Sequence, residues 1–573
     1  MTTTSVARQV SWTGRDLPAI VDFATRSHAR AVAVLLLFSL LMFLPGFFQI
    51  PPMDRDESRF AQAPKQMVET GDYVDIRFLD EVRYKKPVGI YWLQAGAVKT
   101  ARALGVSDAL TTIWVYRIPS LLGAIGAVLL SYWAALAFVG RRAAVLAALM
   151  MAGSVLLGVE ARLAKTDAVL LFTIIAAMGA MGRAYMRFDS NQRGTSHSLA
   201  VPMIFWTALA AGFLIKGPLI LLFAGLTIGT LAVADRSLQW VKTLRPAAGT
   251  IWFLLLVLPW FLAIILRSGS GFFTGSLGHD MLGKVASGQE SHGAPPGLYL
   301  LLFWVTFWPG AVLAGLAAPA AWRARRERGT RFLLAWLVPA WIVFELVVTK
   351  LPHYVLPLYP AIAILIAGTI ERGLLSQNRW LERGTLLWLL IPVLLTGAAI
   401  AALFVFKGDI WFVAWPFAAA DVAFGLLAWW FYPSDGAERS LLRALAASLM
   451  IAVSVYVITL PGLTRLFPSV ALAKALHAAD CRHPAVAAAG YHEPSFVFLA
   501  GSSTVLTNGA GGANFLADGG CRVALVESRS ESEFRERARD IRLRYSMIMT
   551  VEGLNYSNGR PVKVTAYKAE PAQ

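Results

Sequence analysis

The chain has 573 residues, of which 57% are hydrophobic and 15% charged, and its mean hydropathy is +0.58. That is too much apolar surface for one soluble core and too little charge to solvate it, so a soluble globular protein is excluded and an integral membrane protein is implied. A net charge of +17 would suggest nucleic acid in a soluble chain; beside membrane helices the excess Lys and Arg serve instead as orientation signals, and no nucleic-acid partner is expected.

Residues 1–30 are polar, with Arg8, Arg15, Arg26 and Arg30 ahead of the apolar run Ala31 to Phe48. No small-residue cleavage site follows, so the run reads as a retained first helix after a cytoplasmic amino-terminal segment. Further apolar stretches lie near 113–139, 143–159, 168–186, 201–215, 217–234, 248–266, 297–321, 332–349, 354–370, 384–405, 410–432 and 444–462. Together they predict a polytopic α-helical membrane domain over 31–462 with about thirteen transmembrane helices.

Charge gives an independent check, because short cytoplasmic loops collect Lys and Arg. With the amino terminus inside, the inner loops hold Arg141/Arg142, Arg183/Arg187/Arg193, Arg236/Lys242/Arg245, Arg323 to Arg331, Arg372/Arg379/Arg383 and Arg439/Arg443. The opposite loops mix both signs, so acids and bases converge on the outer face. The first of these, a periplasmic loop over 51–112 in a Gram-negative cell, carries two predicted helices, Glu57 to Glu69 and Val88 to Leu104, suited to lying in the membrane interface. After the last span, residues 463–573 change to Gly-rich turns and strand-like runs: Ala485 to Ala489, Phe496 to Ala500, Arg522 to Val526, Tyr545 to Val551 and Val562 to Tyr567, with a charged helix at Glu531 to Arg544. This predicts a soluble C-terminal α/β domain, periplasmic by the same topology. Both cysteines, Cys481 and Cys521, fall in it; that compartment allows a disulfide, and two buried free thiols are the alternative.

The chemistry concentrates on the outer face. Asp56 and Glu57 stand just beyond the first span with Arg59 two residues on, a pairing that can act as a general base, bind a metal or hold the arginine. Glu160 to Asp167, Lys216, Arg267 with His279, Asp280, Lys284 and His292, and Lys350 to Tyr354 fall on the same side. Taken singly, each basic residue has an ordinary role: Lys85 and Lys86 as interface anchors, Lys216 as a helix C-terminal charge, His353 as a packing histidine. Collected on one face, the cations suit a phosphate, and the carboxylates suit a sugar hydroxyl, an amine or a metal. A lipid phosphate bearing a sugar satisfies both sets. A lipid-linked sugar transporter is the rival, but it calls for internal repeats and charge at span centres, where mainly Asp421 is found. A sensor would leave the first-loop cluster unexplained.

In this order, Asp56-Glu57-Ser58-Arg59, Tyr84-Lys85-Lys86-Pro87 with Tyr91-Trp92, Glu160-x-Arg162 to Asp167, Lys216-Gly217-Pro218 and Lys350-Leu351-Pro352-His353-Tyr354 resemble the bacterial branch of the protein O-mannosyltransferase superfamily, and within it the aminoarabinose (4-amino-4-deoxy-L-arabinose) lipid A transferases. The resemblance runs from residue 31 to about 370 and extends to the C-terminal domain. It implies a C-type glycosyltransferase fold in the bacterial inner membrane, an undecaprenyl-phosphate-linked sugar donor, lipid A or a related envelope acceptor in contact with membrane lipid, and inversion at the anomeric carbon. It also implies Asp56, Glu57 and Asp167 as catalytic carboxylates, Lys86, Lys85, Arg59, Lys216, Arg267 and Tyr354 around the donor phosphate, and Tyr84, His353, Lys350 and His292 toward the substrates. No cofactor is required, and a divalent metal on Asp56 and Glu57 is an option. Asp56 remains open between base and orienter: a hydroxyl acceptor needs a base, whereas an ionised lipid A phosphate does not. The chain departs from the family at Arg55, at Lys85 and over Gly288 to Pro296, which bears on the acceptor.

Overall fold

A computed structural model describes residues 19–188, 198–276, 293–407, 412–477, 484–556 and 558–570. Two helices, α1 (Ala19–Thr25) and α2 (His28–Phe43), precede the first loop, in which α3 (Asp56–Thr70) and α4 (Gly89–Ala103) flank a short hairpin of β1 (Arg77–Phe78) and β2 (Glu81–Val82). The two helices expected in that loop are therefore present. The bundle continues with α5 (Ile113–Ala135), α6 (Arg141–Gly153), α7 (Val155–Glu160), α8 (Asp167–Arg187), α9 (Ala200–Lys216), α10 (Leu219–Asp235) and α11 (Pro246–Ser268). It closes with α12 (Leu298–Thr306), α13 (Ala311–Arg323), α14 (Arg328–Leu346), α15 (Tyr359–Glu371), α16 (Leu387–Lys407), α17 (Trp415–Trp430) and α18 (Tyr432–Ala452).

The protein is thus a multi-pass membrane protein. Among the described residues seven helices are long and apolar enough to cross a bilayer, or eight if α12 and α13, bent by 119°, form one span. Each of the apolar stretches read from the sequence carries helix, but several are short or broken. The α2, α9 and α10 helices have 16 or 17 residues, about 25 Å at 1.5 Å per residue, just under the hydrocarbon thickness. Between α6 and α7, Ser154 is extended (φ −67°, ψ 133°) and interrupts the helix.

The helices pack around small residues. Gly123 of α5 meets the backbone of α8 at Val169, where an added Cβ would lie 2.9 Å from Val169 Cα, so any side chain would push these two helices apart.

After α18 the chain passes through α19 (Pro468–His477) into a five-stranded sheet of order β4-β3-β5-β7-β6. Strands β3 (Ala485–Ala489), β4 (Val505–Thr507) and β5 (Arg522–Glu527) are parallel, joined through α20 (Pro494–Ala500) and α21 (Gly509–Ala517); α22 (Glu531–Asp540) leads to the antiparallel hairpin β6 (Tyr545–Asn555) and β7 (Arg560–Ala569). Phe496 to Ala500, expected as a strand, is helical. Pro494 supplies a preset helical first turn, and Phe498 is buried in one cluster with the first-loop side chains Ala61 and Val98 and with Tyr116 of α5, a contact invisible to local periodicity. Cys521 is disulfide-bonded, so the free-thiol alternative does not hold for it; Cys481, the other cysteine of the chain, lies outside the described residues.

Candidate active site

Two loops and three helix ends meet at one end of the bundle. The turn before α3 carries Asp56 as its first helical residue, where a carboxylate faces the positive end of the helix dipole. Its neighbour Glu57 points inward and is 1% exposed. Arg117 of α5 donates to both Glu57 oxygens at 2.8 Å, and the amides of Met53 and Ala164 donate to the same carboxylate at 2.9 and 2.8 Å. Arg117 also donates to the carbonyls of Ile50 (2.7 Å) and Pro51 (3.0 Å). Both Glu57 oxygens are therefore committed, which corrects its reading as a catalytic or metal-binding carboxylate: it ties the first loop to α5 and to the loop before α8. Asp56 is exposed, and its charge acts on Glu160 and Lys165.

The second loop, between α7 and α8, brings Glu160, Lys165 and Asp167 together. Lys216 ends α9 because Gly217 takes a positive φ of 69° and Pro218 follows, and its ammonium lies 2.5 Å from Asp167 Oδ1. His353, in the short turn Pro352–Tyr354 ahead of α15, bridges the acids: Nδ1 is 3.6 Å from Glu160 Oε1 and Nε2 is 3.7 Å from Asp167 Oδ1. Lys165 approaches Glu160 at 4.0 Å, and the Tyr354 ring lies 5.5 Å from the Lys216 ammonium. Glu160 stands one residue past its apolar stretch and is 3% exposed; burial, reinforced by Asp167 and Asp56, raises its carboxyl against the pull of Lys165. Burial works against the Lys165 ammonium, but Glu160, Asp167, Asp56 and Glu57 outweigh it and raise its pKa. Glu160, Asp167 and His353 offer ligand atoms within 4.8 Å of one another and could hold a cation; the ammoniums of Lys216 and Lys165 already face the two carboxylates.

Of the residues singled out in the sequence, Asp167, Lys216, His353 and Tyr354 are gathered here, with Asp56 alongside. Lys85 is exposed and Lys86 half-buried in the turn entering α4, and Arg59 is half-buried one helical turn into α3, where its charge acts on Asp54. Three residues have other duties. Lys350 is 5% exposed and donates to the carbonyls of Glu345 (2.8 Å) and Val347 (2.7 Å), capping α14, which corrects its reading as a substrate ligand. Arg267 pairs with Asp72 at 2.9 Å, and the Tyr84 hydroxyl donates to Asp75 at 2.8 Å while its ring packs on Phe272, so both brace the first loop against the end of α11. His292, with His279, Asp280 and Lys284, lies outside the described residues.

Sequence reasoning overlooked Arg117, which lies inside an apolar span, and it left Glu160 and Lys165 out of the site. An arginine in such a span was the available signal for the first, since intramembrane charge calls for a partner.

The fold is that of a helical membrane bundle with acids and bases gathered at one end and an α/β domain beyond its last helices. Residues 88–268 match the family model described as dolichyl-phosphate-mannose-protein mannosyltransferase. Two curated relatives are named undecaprenyl phosphate-alpha-4-amino-4-deoxy-L-arabinose arabinosyl transferase: that of Edwardsiella ictaluri, 28% identical over 60% of this chain and 59% of its own length, and that of Pseudomonas aeruginosa strain LESB58, 29% identical over 64% and 65%. This chain therefore spans less than two thirds of the length of either. ArnT from Cupriavidus metallidurans, crystallised with undecaprenyl phosphate, superposes with a TM-score of 0.70 at 18% identity, covering 94% of this chain and 97% of that one. The archaeal oligosaccharyltransferase AglB from Archaeoglobus fulgidus shares the fold more distantly, with a TM-score of 0.50 at 13% identity over 92% of this chain and 69% of that one. The chain is thus similar to the mannosyltransferase family over residues 88–268 and to the aminoarabinose transferases over a longer stretch, and it shares the fold of ArnT.

Proposed function

We propose that the protein is an inverting glycosyltransferase that moves 4-amino-4-deoxy-L-arabinose from undecaprenyl phosphate to lipid A at the periplasmic face of the inner membrane. The observation that carries this reading is the convergence of Asp56 with the Glu160–Asp167–Lys216–His353 cluster at the bundle end where the first-loop helices lie. The names and titles of the relatives supply the sugar and the carrier. In this reading thirteen spans place the amino terminus in the cytoplasm and the C-terminal α/β domain, residues 463–573, in the periplasm, consistent with the Arg-rich loops at the other end.

The reaction is a direct displacement. An acceptor oxygen forms the new bond to the anomeric carbon, the bond from that carbon to the phosphate oxygen breaks, and undecaprenyl phosphate leaves with the electron pair. Lys86, aided by Arg59 and Lys85, stabilises the charge on the leaving phosphate. Lys216 pairs with Asp167 and holds it in place, and Tyr354 stands against Lys216. Asp56, exposed at the start of α3, faces the sugar and acceptor. A lipid A phosphate is already ionised and needs no base, so with that acceptor Asp56 orients the sugar. The test is transfer in membranes, read as the mass gain of lipid A. Asp56→Asn and Lys86→Ala each abolish it, and full activity in both overturns the assignment; sugar carried across the membrane without any mass gain of lipid A favours transport.

A further inference from the structure

Asp56 is held from two sides, and only one of them belongs to the membrane domain. On one side Glu57 is fixed by Arg117. On the other, Asp54 reaches the C-terminal domain: its Oδ1 accepts from the Ser495 amide at 2.9 Å, and its own amide donates to the Tyr556 hydroxyl. Between them Arg55 has φ 62° and ψ −103°, a strained conformation for a residue with a side chain. Such a conformation persists only where the surroundings over-determine it. Further contacts hold the same helix to the domain: Gln62 donates to Ser502 Oγ at 2.7 Å and Lys65 to the Phe498 carbonyl at 2.7 Å.

We propose that Asp54 is a positioning residue for Asp56, through which the C-terminal α/β domain sets the geometry of the active site. This rests on the reading of Asp56 given above. The domain holds Asp54, Arg117 holds Glu57, and the strained turn at Arg55 aims the residue between them. The domain is thus a working part of the active site and not only an appendage. The ionisable groups facing Asp54 are Glu493, Tyr491 and Tyr556 from the domain and Arg59 from α3. Burial raises the Asp54 carboxyl to about 6, with Glu493 adding to the rise and Ser495 and Arg59 opposing it.

The test uses the full chain in nanodiscs with undecaprenyl-phosphate-linked aminoarabinose and lipid A. Asp54→Ala and Tyr556→Phe are each expected to lower kcat about tenfold or more while the donor KM stays within about twofold, the signature of a misplaced group and not a lost binding contact. Asp54→Asn keeps the carbonyl that accepts from Ser495 and restores kcat. Unchanged kcat in both Asp54→Ala and Tyr556→Phe, or a rise in KM at constant kcat, overturns the proposal. Tyr556→Phe removes one hydroxyl and keeps the ring, so it decides the matter if Asp54→Ala does not fold. Asp56→Asn is run in parallel: an active Asp56→Asn defeats the functional reading itself, whereas an inactive one beside fully active Asp54→Ala and Tyr556→Phe defeats only this inference.

Discussion

Arg117 and Glu57, sixty residues apart in sequence, are joined by two hydrogen bonds of 2.8 Å, and each residue is at most 1% exposed. A bidentate pair at this depth is a geometric lock whose halves cannot be separated cheaply. Removing one partner, as in Glu57→Ala or Arg117→Leu, leaves a buried charge alone and is expected to cost about 3–5 kcal/mol of stability. Thermal unfolding in detergent measures it. A loss below about 1 kcal/mol, as for an exposed pair, contradicts the lock.

Lys216 does for Asp167 what Arg117 does for Glu57, but beside the exposed Asp56 and the bridging His353. Lys216→Met leaves Asp167 without its nearest cation, and transfer is expected to fall about a hundredfold, the scale for loss of one electrostatic group at a reacting centre. Lys216→Arg keeps the charge and retains more activity. Steady-state rates in nanodiscs distinguish the two, and equal activity in both variants removes Lys216 from the site.

Lys350 offers the opposite outcome. Because its ammonium satisfies carbonyls at the end of α14, Lys350→Met is expected to lower stability by about 1 kcal/mol with an unchanged donor KM. A donor KM raised tenfold would return Lys350 to the substrate-binding set.

The Asp54 carboxyl, raised from 3.8 to about 6 by burial, makes docking of the C-terminal domain depend on pH. An acid whose pKa is raised on docking stabilises the docked state fully below its ordinary pKa, and that contribution is lost as pH rises through the raised value. Wild type is therefore expected to lose stability relative to Asp54→Asn between about pH 4 and pH 6 and to lie parallel to it above, by on the order of 3 kcal/mol. Paired melting curves over this range check it; a gap independent of pH shows that Asp54 does not titrate in the interface.

Much of the fold was legible because its determinants are local. Apolar length and Pro and Gly at helix ends located the apolar helices, the two first-loop helices and most of the C-terminal strands, although only seven or eight of the described helices are long and apolar enough to cross against about thirteen expected. Phe496 to Ala500 misled because its apolar run suits a strand or a short buried helix equally, and a partner over 400 residues away, Ala61 beside Phe498, settles its packing.

The sequence by itself determined that this is a membrane protein whose acids and bases gather at one end of a helical bundle, since hydropathy and charge are read along the chain. What only the tertiary structure decided was the division of labour among those charges. Adjacent residues such as Asp56 and Glu57 have the same chemistry, yet one is exposed beside the cluster and the other is spent on Arg117. Lys216 ends α9 and Lys350 follows α14, yet one meets a carboxylate and the other caps backbone carbonyls. Whether a charge is free to act depends on which distant group lies within about 3 Å of it, and folding alone sets that distance.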